Sequence, residues 1–420
     1  MATARKANLK KATDTATADT ASTPSTVTVG DSVISSSVES TSTALRGPSG
    51  PLALSIGDRK GLARILATLA SVADGKSTMP MLAHVLIRAG MDGTMLAATD
   101  LNVSAVYRAP AWIGGSGGRC VPAKGIADIV KRMPRTEIEI RGTEHGIVVA
   151  SGKVQSSMLG LPDRDFPKVP DWEVITEWQS VDVASLLGVI TPTIDAVCKD
   201  ETRFHLNGVY LETDAGWLRA VSTDGHRLHK AQAACSLRLA KGLIVPTKAL
   251  KILARALVAG ACEIGVKDHM LFVRQGGWTF AIKTVDAQFP PFEQVIPADR
   301  KMFLTVHRES FIGALERALL RSSDTRGVRL TATDNTLRVL TDDPDTGSTE
   351  ERFPCEFSGE WDCGANVKYL IASLKVIDDD RVTFACGSEL DPILLRGSED
   401  MGTRSLKESA LVCVVMPMRI

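Results

Sequence analysis

Arg203-Phe204-His205-Leu206-Asn207-Gly208-Val209-Tyr210-Leu211, with Val221-Ser222-Thr223-Asp224-Gly225-His226-Arg227-Leu228 soon after it, is the stretch on which the reading of this chain turns. Leu206, Val209 and Leu211 lie in a β-rich run and predict one strand, and Trp217 to Ser222 predicts a second. Thr223-Asp224-Gly225 predicts the turn that ends it, with glycine permitting a positive φ. The loop then displays His226 and Arg227 beside Leu228.

Part of this pattern occurs three times. Thr99-Asp100 precedes Thr223-Asp224 by 223 − 99 = 124 positions, and Thr341-Asp342 follows by 341 − 223 = 118. The preceding strands correspond as well: Met81-Leu82-Ala83-His84-Val85, His205-Leu206-Asn207-Gly208-Val209 and Arg326-Gly327-Val328. A repeated feature is structural first, so the same turn is expected in every copy. Only the middle copy continues Gly-His-Arg-Leu where the first has Leu101-Asn102-Val103, and function is expected where the copies differ.

Outward from the turns, the helices repeat too. After a short strand from Leu52 to Ile56, Leu62, Ile65, Leu66, Leu69 and Val72 fall at helical spacing. Leu186, Leu187 and Ile190 repeat this, as do Phe311, Leu315 and Leu319, at offsets of 186 − 62 = 124 and 311 − 186 = 125. Gly188 and Pro192 predict a short or bent middle helix. Second helices open at Val121-Pro122-Ala123-Lys124, Val245-Pro246-Thr247-Lys248 and Asn366-Val367-Lys368, with strands after each. An apolar-Pro pair closes each copy at Phe166-Pro167, Phe289-Pro290 and Met416-Pro417. Each copy therefore reads as an α+β module, two helices on one side of a sheet. The bounds expected are 51–175, 176–299 and 300–420, behind a disordered Ala/Ser/Thr-rich tail over 1–50 that has too little apolar surface to offset its ordering entropy.

The second helices share a basic face: Lys248, Lys251 and Arg255 at i, i+3, i+7; Lys124 and Lys131 with Arg132; Lys368 and Lys375. Arg308, Arg317 and Arg321 join them from the third copy's first helix. One such face is an ordinary solvated helix, but its recurrence points to a shared electropositive surface suited to phosphates. Lys+Arg and Asp+Glu are equal at 49 each, so such a surface requires segregated charge. Basic helices without interleaved aromatic residues disfavour a base-stacking platform. The eight cysteines never form C-x-x-C, which fits a reduced cytosolic compartment, and no apolar run approaches membrane-spanning length. Ser222, Asp224 and His226 crowd one loop, but residues so close on a strand and turn rarely converge as a hydrolase triad, and no G-x-S-x-G, P-loop or H-E-x-x-H is present.

Arg203 to Leu211 with Ser222 to Leu228, the Gln288-Phe289-Pro290 ending and the final Val414-Val415-Met416-Pro417-Met418-Arg419-Ile420 resemble the bacterial DNA polymerase III β subunit family, the sliding clamps. The resemblance runs from about Leu52 to Ile420 with all three copies in order, and leaves the tail out. It implies a non-catalytic processivity factor without a cofactor: a head-to-tail homodimer whose six modules close a ring, helices lining a hole through which duplex DNA passes. It further implies a partner-peptide pocket between the second and third modules, shared by the DNA polymerase III alpha subunit, the clamp loader and other clamp-motif proteins. The pocket positions carried over are Leu206, Thr223, Gly225, His226, Arg227, Leu228, Pro290, Val295, Asn366, Tyr369, Leu390, Pro392, Val414, Val415, Met416, Pro417, Met418 and Arg419. Val414 and Val415 are expected to pack, Met416 and Met418 to stay partly exposed as adaptable contacts, and His226, Arg227 and Asn366 to orient a peptide backbone. DNA-facing positions are Lys76, Lys124, Lys131, Arg203, Phe204, Lys248, Lys251 and Arg255, and Leu319 and Leu320 fall near the ring-closing interface or in the core of their helix. Thr247, Gln294 and Thr325 depart from the family pattern, where an Arg, a basic residue and an aromatic are frequent. A specialised second clamp and a peptide-binding repeat scaffold without DNA are the alternatives.

Overall fold

Among the described residues six α-helices form where the sequence predicts them: α1 (Arg59–Val72), α2 (Ala123–Arg132), α3 (Val183–Ile190), α4 (Thr247–Ala256), α5 (Arg308–Leu319) and α6 (Val367–Val376). The structure, a computed structural model, describes residues 52–91, 93–109, 115–297, 300, 302–322, 326–343, 347–399 and 409–419. The tail over 1–50 and Thr325 lie outside the described residues. Asp58 starts α1 by accepting the N–H of Gly61 at 2.9 Å, and Leu62, Ile65, Leu66, Leu69 and Val72 are its buried stripe. Each fully buried Leu there contributes about 2 kcal/mol of transfer free energy. Helix α3 stops after 8 residues and Thr191–Ala196 continues as a 3₁₀ turn, since Pro192 has no N–H to extend the ladder.

The sheets explain how the modules join. A 9-stranded sheet spans modules 1 and 2, and an 8-stranded sheet spans modules 2 and 3. At the first junction Val103–Ala109 pairs antiparallel with Trp278–Lys283, Trp278 opposite Tyr107. At the second, Arg227–Ala234 pairs with Leu411–Val415, Arg227 opposite Val415. Both junctions use the same two positions of the repeat: the strand after the Thr-Asp hairpin in one module and the last long strand of the next. The remaining copies of these two positions are Gly347–Pro354 in module 3 and Val154–Leu159 in module 1. Each is the outer strand of its own 4-stranded sheet.

Two local expectations are corrected. Glu201–Leu206 is 3₁₀ helix rather than strand, because Asp200 Oδ1 accepts from the N–H and hydroxyl of Thr202 and caps the segment; the strand begins at Gly208. Thr341-Asp342 makes no turn. The strand Thr336–Asp343 runs through it, paired in register with Gly347–Pro354, so the third hairpin reaches farther than the other two. In the first two copies the turn is the same Asx device. Asp100 Oδ1 accepts from Asn102 and Val103 N–H, and Asp224 Oδ1 from His226 and Arg227 N–H. Gly225 sits at φ 89°, and Leu101 takes the same left-handed conformation at φ 72°.

Lys248 also departs from its expected place. Its Nζ donates to the carbonyl of Val72, the last residue of α1, at 2.7 Å, and to Asp100 Oδ2 at 2.5 Å. The ammonium thus clasps module 2 to module 1 and is neutralised there. Asp100 is nearly buried while the Lys248 ammonium is partly wet, so the clasp is worth about 1 kcal/mol. Lys248→Met is expected to lower the free energy of urea unfolding by that amount, with the midpoint falling in step; an unchanged midpoint would show the contact to be inert.

Candidate functional site

The middle hairpin and the C-terminal strand build a cleft at the module 2–3 junction. Asp224 holds the turn through two backbone N–H groups, and its Oδ2 accepts from Arg227 Nε at 3.1 Å. The Arg227 guanidinium also donates to the Asp195 carbonyl and lies 4.9 Å from the Tyr369 ring centroid. His226 is exposed and stacks on Tyr369, centroids 6.2 Å apart at 15°. Arg203 Nη1 donates to the Asp224 carbonyl at 2.9 Å and lies 3.2 Å from where a Cβ at Gly225 would stand. A side chain at Gly225 would meet this cation as well as the positive φ, so two constraints select glycine there.

The C-terminal segment completes the cleft by backbone pairing: Met416 N–H donates to the His226 carbonyl at 2.8 Å and Met418 N–H to the Gly364 carbonyl at 2.9 Å. Beneath lies a packed floor that includes Leu206, Leu228, Phe289, Ile296 and Val414. Around it stand apolar groups open to solvent: Leu390 is 59% exposed, Val295 38% and Met416 36%, with Pro290 exposed and Pro392, Pro417 and Met418 half-buried. Val414 and Val415 are wholly buried, because their strand is flanked on one side by Arg227–Ala234 and on the other by Ile393–Gly397. Val414 lies in the packed floor of the cleft.

Two expected backbone-orienting groups are already occupied. Arg227 is spent on Asp224, Asp195 and Tyr369, and the Asn366 Oδ1 caps α6 by accepting from Lys368 and Tyr369 N–H. They fix Tyr369 and the loop in place, and His226 is presented outward. Thr223, half-buried, holds the turn by donating its hydroxyl to the Arg227 carbonyl at 2.7 Å. Arg419 and Gln294 are exposed. Burial, then the Asp224 carboxylate, pushes the Tyr369 phenol above its ordinary pKa.

The same geometry removes the hydrolase reading. Ser222 is fully buried and donates to the Thr193 carbonyl, Asp224 is used by the turn, and His226 points to Tyr369. The three side chains form no nucleophile-base-orienter chain.

On the helix layer, Lys124, Lys131, Lys251 and Arg255 are exposed and make no ion pair with another described residue. Lys76 is exposed in the turn after α1. In module 1 Arg132 pairs with Asp128; in module 3 Lys375 pairs with Glu316 and Arg317 with Glu351, while Lys368 is exposed. Arg203 is held at the hairpin by the Asp224 carbonyl, and the exposed Phe204 lies in the 3₁₀ segment Glu201–Leu206, so neither stands on these helices. Leu319 packs partly against the module 3 core, whereas Leu320 is 82% exposed.

Known proteins match this architecture over nearly all of the described chain. Family models for the DNA polymerase III beta subunit match residues 53–170 (N-terminal domain), 180–291 (central domain) and 293–419 (C-terminal domain). The beta sliding clamp of Pseudomonas aeruginosa is 32% identical over 374 residues, covering 86% of this chain and 98% of the relative; that of Escherichia coli is 30% identical over 375 residues, covering 86% and 99%. Among solved structures, a Pseudomonas aeruginosa sliding clamp bound to griselimycin superposes with a TM-score of 0.80 at 29% identity, covering 88% of this chain and 100% of that one. The C. crescentus beta sliding clamp gives 0.79 at 27%, covering 88% and 100%. With all three modules matched in order, the chain belongs to the DNA polymerase III beta subunit family, the bacterial beta sliding clamps.

Proposed function

We propose that two copies of this chain close head to tail into a ring that encircles duplex DNA and tethers replication and repair enzymes to it. The observation that carries the reading is the pair of open edges. Both internal junctions join the strand after the hairpin to the last strand of the next module, and Gly347–Pro354 and Val154–Leu159 are the copies of those two strands left over. A second chain offers each of these two strands its missing partner, and two such contacts related by a two-fold axis leave neither of them open. Val154 at 45% and Leu159 at 78% exposure suit burial in such a contact, as does Leu320 at the end of α5. Arg317 ties α5 to the open strand through Glu351 at 2.7 and 2.9 Å, which holds Leu320 near the edge.

Inside the ring, the unpaired Lys and Arg of α2 and α4 attract phosphates without reading bases, which permits sliding; retention comes from topology. The cleft at the module 2–3 junction takes an extended peptide with apolar anchors, supplied in turn by the polymerase III alpha subunit, the clamp loader and other clamp-motif proteins. The chain's role is binding rather than catalysis, and its place is the cytoplasm, on DNA.

Native mass spectrometry at micromolar concentration is expected to give twice the chain mass; a monomer would overturn the ring. Leu320→Asp places two charges per ring against apolar edges and is expected to weaken the dimer about tenfold or more. An unaltered dimer constant would remove Leu320 from the interface.

A further inference from the structure

The module 1–2 junction holds a second feature on its helix side. Arg64 of α1 and Arg255 of α4 border a groove of about 500 Å³ whose end wall is Tyr107 and Trp278. Both arginines are exposed, and neither makes an ion pair or side-chain hydrogen bond to another described residue. The two rings stand 171 residues apart in sequence but opposite each other in the inter-module strand pair, centroids 5.0 Å apart and edge to face. Trp278 is backed on its other side by Phe280, 5.2 Å away and nearly parallel, so its plane is fixed. Burial, then the Asp58 carboxylate, raises the Tyr107 phenol above its ordinary pKa, and Asp58 caps α1.

The equivalent place at the module 2–3 junction lacks the rings and the first arginine, and its one basic side chain is paired. Gly188 stands where Arg64 does (188 − 64 = 124, the repeat offset), and Lys375 where Arg255 does (375 − 255 = 120), its charge spent on Glu316 at 2.8 Å. Asp378, Asp379 and Glu399 line that cleft and no aromatic ring does. The repeat therefore builds the cation-and-ring groove at one junction and an acidic cleft at the other, so the groove does not follow from the module fold alone.

A duplex presents phosphates but keeps its bases stacked inside, so it has no use for the rings. An unpaired strand presents both a phosphate, for a guanidinium, and a base face, for an indole. A volume of about 500 Å³ is in the range of small-ligand clefts, ~300–1,000 Å³. We propose that this groove binds single-stranded DNA, stacking one base on the Trp278–Tyr107 ledge while Arg64 and Arg255 hold the flanking phosphates. The site rests on the reading of the helix side as the DNA side. It would engage the unpaired strand next to a primer-template junction and set which face of the ring meets it.

The test uses the full chain and a short thymidine oligonucleotide of about ten nucleotides, with a blunt duplex of equal length as competitor. Binding is expected to quench tryptophan fluorescence, and Trp278→Leu to remove that quench while retention on nicked circular duplex persists. Arg64→Ala with Arg255→Ala changes only exposed side chains and is expected to weaken oligonucleotide binding about tenfold, with an unchanged melting temperature. A 5-iodouracil oligonucleotide is expected to cross-link to Trp278 or Tyr107. Cross-linking at the His226 cleft instead, or oligonucleotide affinity equal in the double variant and the wild type, would overturn the groove. A wild type that stays on nicked circles but ignores short single strands would overturn this site alone; loss of both would remove the clamp reading with it.

Discussion

Truncation after Val415 is expected to cut affinity for a polymerase-derived clamp-binding peptide about a hundredfold and to leave the dimer mass unchanged. Met416 and Met418 are the adaptable apolar groups of the cleft, and their backbone N–H groups tie it to both modules at His226 and Gly364. Their loss removes contacts that anchor apolar side chains, each typically worth ~2 kcal/mol or more at the centre of an interface. Cys413 to Val415 stay paired on both sides, so the module 3 core survives. The strands assigned to ring closure, Val154–Leu159 and Gly347–Pro354, are untouched. Isothermal titration with the peptide and a mass measurement on the same sample decide it. Full peptide affinity in the truncated chain would place the binding site elsewhere, and monomers would mean that the C-terminus also serves the dimer.

The second large effect is a loss of stability in mild acid that traces to His229. Its Nδ1 lies 2.8 Å from the Pro192 carbonyl, which can only accept, so Nδ1 carries the proton and Nε2 accepts from the Ser373 hydroxyl at 3.1 Å. The ring is fully buried and bridges modules 2 and 3. Burial lowers its pKa to about 4 from an ordinary 6.5, against the opposing Pro192 bond; Arg227 lowers it further, and Asp195 and Asp224 raise it. A folded-state pKa below the unfolded one means the unfolded chain binds the extra proton between those values. The contribution is complete above pH 6.5 and is lost as pH falls from 6.5 towards 4. Between pH 7 and pH 5 this costs about 2 kcal/mol. Urea unfolding at the two pH values, in the wild type and in His229→Leu, isolates it. The variant is less stable at pH 7, yet its further loss at pH 5 is expected to be smaller by that amount. An equal loss in both would assign the acid sensitivity to other groups.

Much of the fold was legible because it is written three times. The apolar stripe of α1, the Pro-opened second helices and the Asp-capped turns at Asp100 and Asp224 depend on local chemistry, and local chemistry repeats with the sequence. The features that escaped are made by contacts between distant segments. Nothing near Lys248 signals that Asp100 and the end of α1 will claim its ammonium. Arg227 reads as a recognition group until Tyr369 and Asp195 fold onto it. The lack of aromatic residues among the basic helices disfavours base stacking on the helices themselves, and nothing local signals that an inter-module strand pair brings Tyr107 and Trp278 together beside Arg64 and Arg255. The 3₁₀ turn over Glu201–Leu206 had a local signal, the Asp200-x-Thr202 cap, which the apolar spacing of Leu206 and Val209 outweighed.

The central claim is that a closed ring holds duplex DNA by enclosing it, and the dependence of retention on DNA ends tests it most directly. After loading onto nicked circular plasmid and gel filtration in high salt, the protein is expected to co-elute with the circle and to be lost once a single restriction cut makes the plasmid linear. Retention unchanged by the cut, or absence from the intact circle, would contradict it.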